Sequence, residues 1–163
     1  MSLQNVFYPS IIDYIQELFP NEVNAHADIN TILLEKVKNS IGDKCSKEGY
    51  VKKESIKLID RSIGKIVSSH FNGNIIFNLK LEVDICNVTE GNIIKCKVAG
   101  INKVGIMCEK KPLIIVLSKI YHEHNLEKFE SIQIGDIINV EVIGSRFEYN
   151  DNEINVVGKL VDI

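Results

Sequence analysis

Cysteine and histidine are the residues of this sequence that could bind a metal ion. The cysteines are Cys45, Cys86, Cys96 and Cys108. None of them forms the C-x-x-C pair that is typical of zinc sites. A second candidate is the run His122-Glu123-His124, but residues two apart do not face each other on a helix, and no further ligands lie nearby at a useful spacing. The sequence therefore predicts free thiols that are buried or half-buried, a surface loop at 122–124, and neither a metal nor another cofactor.

The carboxylates do not form a pair suited to acid–base catalysis. Those of the first half are spread over predicted strands and turns, and they include Asp13, Glu17, Glu22, Glu82 and Asp84. Glu82 and Asp84 share one face of a strand, which we interpret as the solvent face. No Ser-His-Asp set is evident, and Asn72-Gly73-Asn74 is typical of a hairpin turn rather than of a phosphate loop. We therefore expect a protein that is not an enzyme.

Cationic side chains of the second half offer a different chemistry, the neutralisation of RNA phosphates. This contribution to binding weakens as salt rises. The candidate residues are Lys95, Lys97, Lys103, Lys110, Lys111, Lys119 and Arg146. Two aromatic residues, Phe147 and Tyr149, follow on the same predicted hairpin and could stack on a base. The alternative is an ordinary solvated lysine face with two aromatic residues packed against the end of the fold.

Composition limits the kinds of partner. The formal net charge is −3, which argues against a strongly basic nucleic-acid binder, so any contact with RNA would use a local patch. Residues 1–89 and 90–163 carry ten and nine cations and eleven carboxylates each, so the two parts do not differ in sign. The start of the chain lacks the pattern of a secretory signal, and no run approaches the roughly 20 apolar residues that cross a bilayer. We expect an intracellular protein without a membrane partner.

The first half predicts a helix packed on a three- or four-stranded antiparallel sheet. A strand is predicted within 10–21, ended by Pro20-Asn21. A helix is predicted over 28–42, with Asp28 as N-cap and Gly42 as a left-handed C-terminal residue. Strand patterns follow within 50–59 and 63–68. Asn72-Gly73 then predicts a tight turn into a long amphipathic strand at 77–85.

The second half is predicted to be nearly all β. Alternating or apolar stretches predict five strands, within 94–98, 105–109, 113–118, 134–142 and 154–160. A polar segment at 121–132 predicts a short helix or loop, and 148–153 predicts a turn. Five short strands with a helical insert between the third and the fourth are what a five-stranded OB-type barrel requires. We therefore predict two domains, 1–88 of α+β class and 89–163 as an all-β barrel.

Resemblance to a known family adds to this pattern. EGNIIKCKVAGINKVGIMCE, KPLIIVLSK and GDIINVEVIG resemble an S1 domain, the RNA-binding member of the OB group. KCSKEGYV, IGKI and FNGNIIFNLKLEVDICNVTEGNIIKC stand ahead of it. This order resembles the stalk subunit of multisubunit DNA-directed RNA polymerase, a family with archaeal members and with the seventh subunit of eukaryotic polymerase II. The short chain, its 27 Ile and 16 Asn, and the ending NDNEINVVGKL look most like versions from large cytoplasmic DNA viruses.

The resemblance implies an RNP-like docking domain followed by an S1-type barrel, without catalysis. Such a subunit docks on the polymerase core near the clamp, places its barrel near the exiting RNA, and pairs in cellular enzymes with a smaller stalk subunit. The resemblance also implies candidates for contact with the core enzyme, namely Cys45 through Tyr50, including Gly49, and the Asn72-Gly73 turn. The alternative is that these residues only form turns. The expected location is the virion and the host cytoplasm if the protein is viral, and otherwise the nucleus.

One departure from the S1 pattern bears on RNA binding. S1 barrels often carry aromatic residues on the second and third strands, and the matching positions here are Ile106 and Val116. Because aliphatic side chains have no π-face, we expect weak, salt-sensitive binding to nascent RNA. Two other classes remain open: an S1-domain protein of RNA decay or translation, and a viral decoy of a translation factor. The domain ahead of the barrel argues against both.

Overall fold

The computed structural model describes residues 6–23, 26–67, 69 and 71–161. The chain forms two compact units. The first, here called the sheet unit, contains Tyr8–Asp43 and Val51–Ile85. The second, the barrel unit, contains the chain from Cys86 onward together with Val6, Phe7 and Lys44–Tyr50. The predicted division after residue 88 gave no sign that Lys44–Tyr50 packs with the C-terminal part.

The sheet unit contains one α-helix and a sheet that is built around one long strand. Its helix is α1 (Ile29–Ile41). The strands up to residue 86 are β1 (Phe7–Leu18), β2 (Lys44–Cys45), β3 (Tyr50–Val51), β4 (Lys57–Arg61), β5 (Lys65–Ile66) and β6 (Ile75–Cys86). Short 3-10 turns lie at Pro20–Glu22 and Lys53–Ser55. Within the sheet unit, β1, β4 and β5 pair with β6.

Helix α1 confirms the prediction and corrects one detail of its end. The Asp28 carboxylate accepts a hydrogen bond from the Asn30 N–H (3.3 Å), as an N-cap does. Gly42 is not left-handed, since its φ is −66°; Asp43 adopts the left-handed conformation instead, with φ +55°. Glycine is needed at 42 for space, because a Cβ there would lie 2.3 Å from the Lys38 carbonyl oxygen and 2.6 Å from Lys53 Cγ.

Strand β6 supplies the inner face of the sheet. The predicted alternation is confirmed, and the residues of this face that are at most 3% exposed are Phe77, Leu79, Leu81, Val83 and Ile85. The hairpin before β6 differs from the prediction. Because Ile66 pairs with Ile75, the connection is longer than a two-residue turn. Asn72 accepts the Asn74 N–H with its side chain (3.1 Å), and Gly73 has a positive φ of +69°.

The barrel unit contains the five predicted strands. They are β7 (Ile93–Ile101), β8 (Gly105–Lys110), β9 (Leu113–Ser118), β10 (Ile137–Arg146) and β11 (Ile154–Leu160). They close in the order β10-β11-β9-β8-β7, and β10 pairs with β7 to complete the barrel. All neighbours are antiparallel except β11 and β9, which are parallel. This closed five-stranded barrel is compatible with the predicted OB-type barrel.

Alternation along these strands fills the barrel with apolar side chains. Two register shifts, between Val98 and Gly100 and between Val142 and Gly144, bend β7 and β10 as bulges do. Gly105 allows close strand contact, because a Cβ there would lie 2.0 Å from the Leu117 carbonyl oxygen. The insert between β9 and β10 is a 3-10 segment (Lys119–Asn125) followed by α2 (Leu126–Glu130), as predicted.

The prediction that 122–124 forms a surface loop is wrong for His122. This side chain is 4% exposed. Its Nδ1 lies 2.7 Å from the Ser118 carbonyl oxygen, and its Nε2 accepts the Leu160 N–H at 2.8 Å. Its ring centroid is 4.5 Å from that of Phe129. The hydrogen bonds fix the tautomer with the proton on Nδ1, so His122 fastens the insert to the last strand of the barrel.

Candidate nucleic-acid interface

Two predicted RNA-binding lysines lie on the outer face of β7. Lys95 and Lys97 are exposed, because their inward neighbours Cys96 and Val98 alternate with them. Lys97 faces Glu109 of β8 across the strand pair. Opposite charges in such positions attract each other, so part of the positive potential at Lys97 is offset by the neighbouring carboxylate.

The other predicted lysines lie at both ends of β8. Lys110 and Lys111 follow Glu109, which pairs with Lys97, so they lie at the same end of the β7–β8 pair as Lys95 and Lys97. Lys103 lies in the turn before β8, about 17 Å away for a six-residue strand. Lys119 is held by Glu130, with Nζ and Oε1 3.4 Å apart. The charges of residues 93–161 are balanced, nine cations against nine carboxylates. The barrel therefore carries four lysines at one end of the β7–β8 pair, within a charge that is balanced as a whole.

The outer face of β8 and β9 is aliphatic, but not at both predicted positions. Ile106 is 1% exposed and points into the barrel, so its prediction as a surface position is wrong. The outward residue is its neighbour Met107, which pairs with Val116 of β9, and Val116 in turn pairs with Val157 of β11. These three side chains are 40–44% exposed. Ile106 lies opposite Ile101 of β7, beyond the bulge in that strand. The position that follows the glycine in the S1 pattern is therefore an inward-facing residue here.

The loop between β10 and β11 carries the remaining predicted residues. Arg146 is exposed and lies 3.2 Å from Glu148, measured from Nη2 to Oε1. Phe147 is half-buried and packs against the barrel core, whereas Tyr149 is 64% exposed. Asp151 accepts the Glu148 N–H (2.7 Å) with its side chain, and Asn150 has a positive φ of +71°. Tyr149 is therefore the ring of this loop that is available to a base.

The residues predicted to contact the polymerase core fall in both units. Cys45 is 2% exposed and belongs to the core of the barrel unit. Gly49 is also buried and has φ +142°, while Tyr50 is half-buried and meets Phe7 edge-on, with 6.4 Å between ring centroids. Asn72 and Gly73 are exposed in the sheet unit. Within the predicted segment Cys45 through Tyr50, the exposed side chains are those of Lys47 and Glu48.

All four thiols are free and buried in the barrel unit. Burial raises the pKa of Cys45 to about 11 and that of Cys86 to about 12. A hydrogen bond between the other two thiols raises the pKa of Cys108 and lowers that of Cys96. Over the described residues, no three His, Cys, Asp or Glu side chains are grouped to hold a metal ion. In the same part of the chain, no helix is long and apolar enough to span a membrane.

Comparison with known proteins gives one informative relative. No protein-family model matches the sequence. The chain is similar to a protein of Acanthamoeba polyphaga mimivirus that bears the name "Putative DNA-directed RNA polymerase subunit L376". The two are 24% identical over 176 aligned positions, which cover 100% of this chain and 86% of the mimivirus protein. The similarity therefore extends over both units rather than over the barrel alone.

Proposed function

We propose that this chain is a non-catalytic stalk subunit of a viral DNA-dependent RNA polymerase. The observation that carries the proposal is the similarity to the mimivirus protein over the full length of the chain. A barrel shared by unrelated RNA-binding proteins would match over the barrel alone. The closed five-stranded barrel and the helix-and-sheet unit ahead of it agree with the domain order of the stalk family.

In this proposal the two units have different roles. The sheet unit, which we propose to be RNP-like, docks on the core enzyme near the clamp, and the exposed Asn72 and Gly73 contribute to this contact. Gly49 and Tyr50 contribute through the segment that packs with the barrel. The barrel, which we propose to be of S1 type, lies near the exiting RNA. A smaller stalk subunit is a further proposed partner, and the virion and host cytoplasm are the proposed locations.

Contact between the barrel and nascent RNA is weak in this proposal. Lys95, Lys97, Lys103, Lys110, Lys111, Lys119 and Arg146 supply the charge, and Phe147 and Tyr149 supply the aromatic character. The β8–β9 face has Met107 and Val116 where a stacking platform would need rings. Affinity for short single-stranded RNA is therefore expected in the micromolar range or weaker, and it should fall steeply as salt rises.

Affinity purification tests the proposal. The chain is tagged and expressed in cells that contain the transcription machinery of its source, and nuclease-treated extract is analysed by mass spectrometry. The two largest polymerase subunits should be recovered in amounts comparable to the bait. Recovery of ribosomal or RNA-decay proteins without polymerase would contradict the proposal and favour an RNA-handling protein outside transcription. The control for nonspecific recovery is an unrelated protein that carries the same tag.

A further inference from the structure

A short segment outside the barrel strands holds the loop that presents Tyr149. We call Lys44–Tyr50 the strap; it includes β2 and ends at the start of β3. The strap belongs to the barrel unit although about forty residues separate it from the first barrel strand. Its place in that unit is set by specific hydrogen bonds rather than by chain connectivity.

Two backbone hydrogen bonds join the strap to the β10–β11 loop. The Cys45 N–H donates to the Asp151 carbonyl oxygen (2.7 Å), and the Asn150 N–H donates to the Cys45 carbonyl oxygen (2.9 Å). One strap residue thus faces two loop residues, which is the arrangement of a β-bulge. The Cys45 thiol adds a weak contact to the Glu153 carbonyl oxygen at 3.8 Å. Cys45 is buried in the core of the unit, so the strap side of this junction is shielded from water, whereas Asn150 is exposed.

The far end of the strap is also fixed within the barrel unit. Ser46 donates its N–H to the Gly49 carbonyl oxygen (2.7 Å), which closes the strap into a tight turn. The Asn87 side chain donates to the Glu48 carbonyl oxygen at 3.0 Å. A loop that pairs along its backbone with a fixed segment loses conformational freedom before any ligand arrives, and this lowers the entropic cost of binding.

We propose that the strap is a positioning element for the RNA contact of the β10–β11 loop. It holds Asn150 and Asp151, and through them it fixes the exposed ring of Tyr149 as a surface on which one base of single-stranded RNA stacks. Arg146 is the last residue of β10, three residues before Tyr149, and can approach the adjoining phosphate. The inference rests on the proposed function for its ligand, and it adds that Cys45 acts on RNA binding without touching RNA.

The first test reads the position of the loop in the absence of RNA. The chain has no tryptophan, so Tyr149→Trp introduces a single fluorescent reporter at the tip of the loop. In this background Cys45→Pro removes the N–H that Asp151 accepts, and Cys45→Ala is the matched control because it keeps that N–H. Asn87→Ala is a milder variant that releases only the far end of the strap. Time-resolved anisotropy should show a larger fast component for Cys45→Pro and for Asn87→Ala than for Cys45→Ala.

The second test reads RNA affinity in a double-mutant cycle. The probe is a fluorescein-labelled single-stranded oligouridylate, titrated at low salt with the full chain. Loss of a base stack weakens binding by roughly 5-fold or more, so Tyr149→Ala should show at least this effect. Asn87→Ala should weaken binding about 3-fold with the tyrosine present and should have no effect in the Tyr149→Ala background. General damage to the barrel would instead weaken binding in both backgrounds.

The outcomes separate the inference from the proposed function. An unchanged anisotropy decay in both Cys45→Pro and Asn87→Ala would overturn the inference whatever the RNA result. Equal effects of Asn87→Ala in the two backgrounds would overturn it as well. If the wild-type chain binds no RNA, the proposed RNA contact is contradicted, and the anisotropy result alone decides whether the strap fixes the loop. If Cys45→Pro fails to fold, Asn87→Ala carries both tests.

Discussion

Replacement of His122 should destabilise the barrel unit far more than replacement of its neighbour His124. His122→Ala removes the acceptor of the Leu160 N–H and the donor to the Ser118 carbonyl oxygen. A buried polar group left without a partner costs about 1–3 kcal/mol. Loss of the ring contact with Phe129 adds about 0.5–1.5 kcal/mol. Leu160 and Ser118 are half-buried, so water restores part of the loss, and the free energy of unfolding should fall by about 2–4 kcal/mol.

Urea denaturation measures this change. The Tyr149→Trp background gives a fluorescence signal from the barrel unit, and far-UV circular dichroism follows the whole chain. With a urea m-value of about 2 kcal/mol/M, the midpoint should shift down by roughly 1–2 M. His122→Phe keeps a ring beside Phe129 and loses only the hydrogen bonds, which are the larger part of the loss, so its shift should be about two-thirds as large.

The matched control is His124→Ala, because His124 is exposed and lies two residues away in the same segment. Exposed substitutions change stability by about 0.5 kcal/mol or less. Equal midpoints for His122→Ala and His124→Ala would contradict this prediction, because they would show that the two hydrogen bonds contribute nothing measurable to the attachment of the insert.

Further predictions concern the barrel strands, the thiols and the cationic face. Gly105→Ala should lower the free energy of unfolding by about 2 kcal/mol or more, because its Cβ would lie 2.0 Å from a carbonyl oxygen. The control is Gly144→Ala, which should change the free energy of unfolding little in the same urea experiment, because nothing lies within 4 Å of the added Cβ. Mass spectrometry after alkylation at neutral pH should find the four thiols unmodified in the native chain and modified in guanidinium. The pKa of Cys86 rises from its ordinary value of 9.0 to about 12 on folding. The stabilising effect of its buried neutral form is therefore fully present below pH 9 and should be lost between pH 9 and 12. Urea midpoints measured across this range should fall less steeply for Cys86→Ala than for the wild-type chain. Lys95→Glu combined with Lys97→Glu should reduce the slope of log affinity against log salt by about 1.4 for single-stranded RNA, and an unchanged slope would exclude these lysines from the contact.

Periodicity predicted the strands well wherever burial alternates without interruption. The inward row of β6 and the five barrel strands followed from the spacing of apolar residues, because one face of each strand must leave water. Helix α1 followed from Asp28 and its apolar stripe for the same reason. The spacing could not predict the bulge at Val98–Gly100. The position after Gly105, taken from the S1 pattern, is Ile106, which faces inward, and the exposed residue is Met107.

Features that depend on contacts between distant residues could not be predicted from the sequence. Histidine is amphipathic, and contacts with the Leu160 N–H, 38 residues away, and with the Phe129 ring hold the side chain of His122 in a buried position. The strap is similar, because the hydrogen bonds between Cys45 and residues 150 and 151 join segments that no local pattern connects. The signal that could have indicated it is the cysteine itself, since free cysteine is among the residues most often buried.

Photocrosslinking of nascent RNA tests the central proposal most directly. A polymerase purified from the source of this chain is stalled on a template after incorporation of 4-thiouridine, irradiated, and digested for mass spectrometry. The account predicts that this chain is present in the stalled complex and that its crosslinked peptides come from the barrel unit, above all from the β10–β11 loop around Tyr149. A fully assembled, elongating polymerase that lacks this chain would contradict the account.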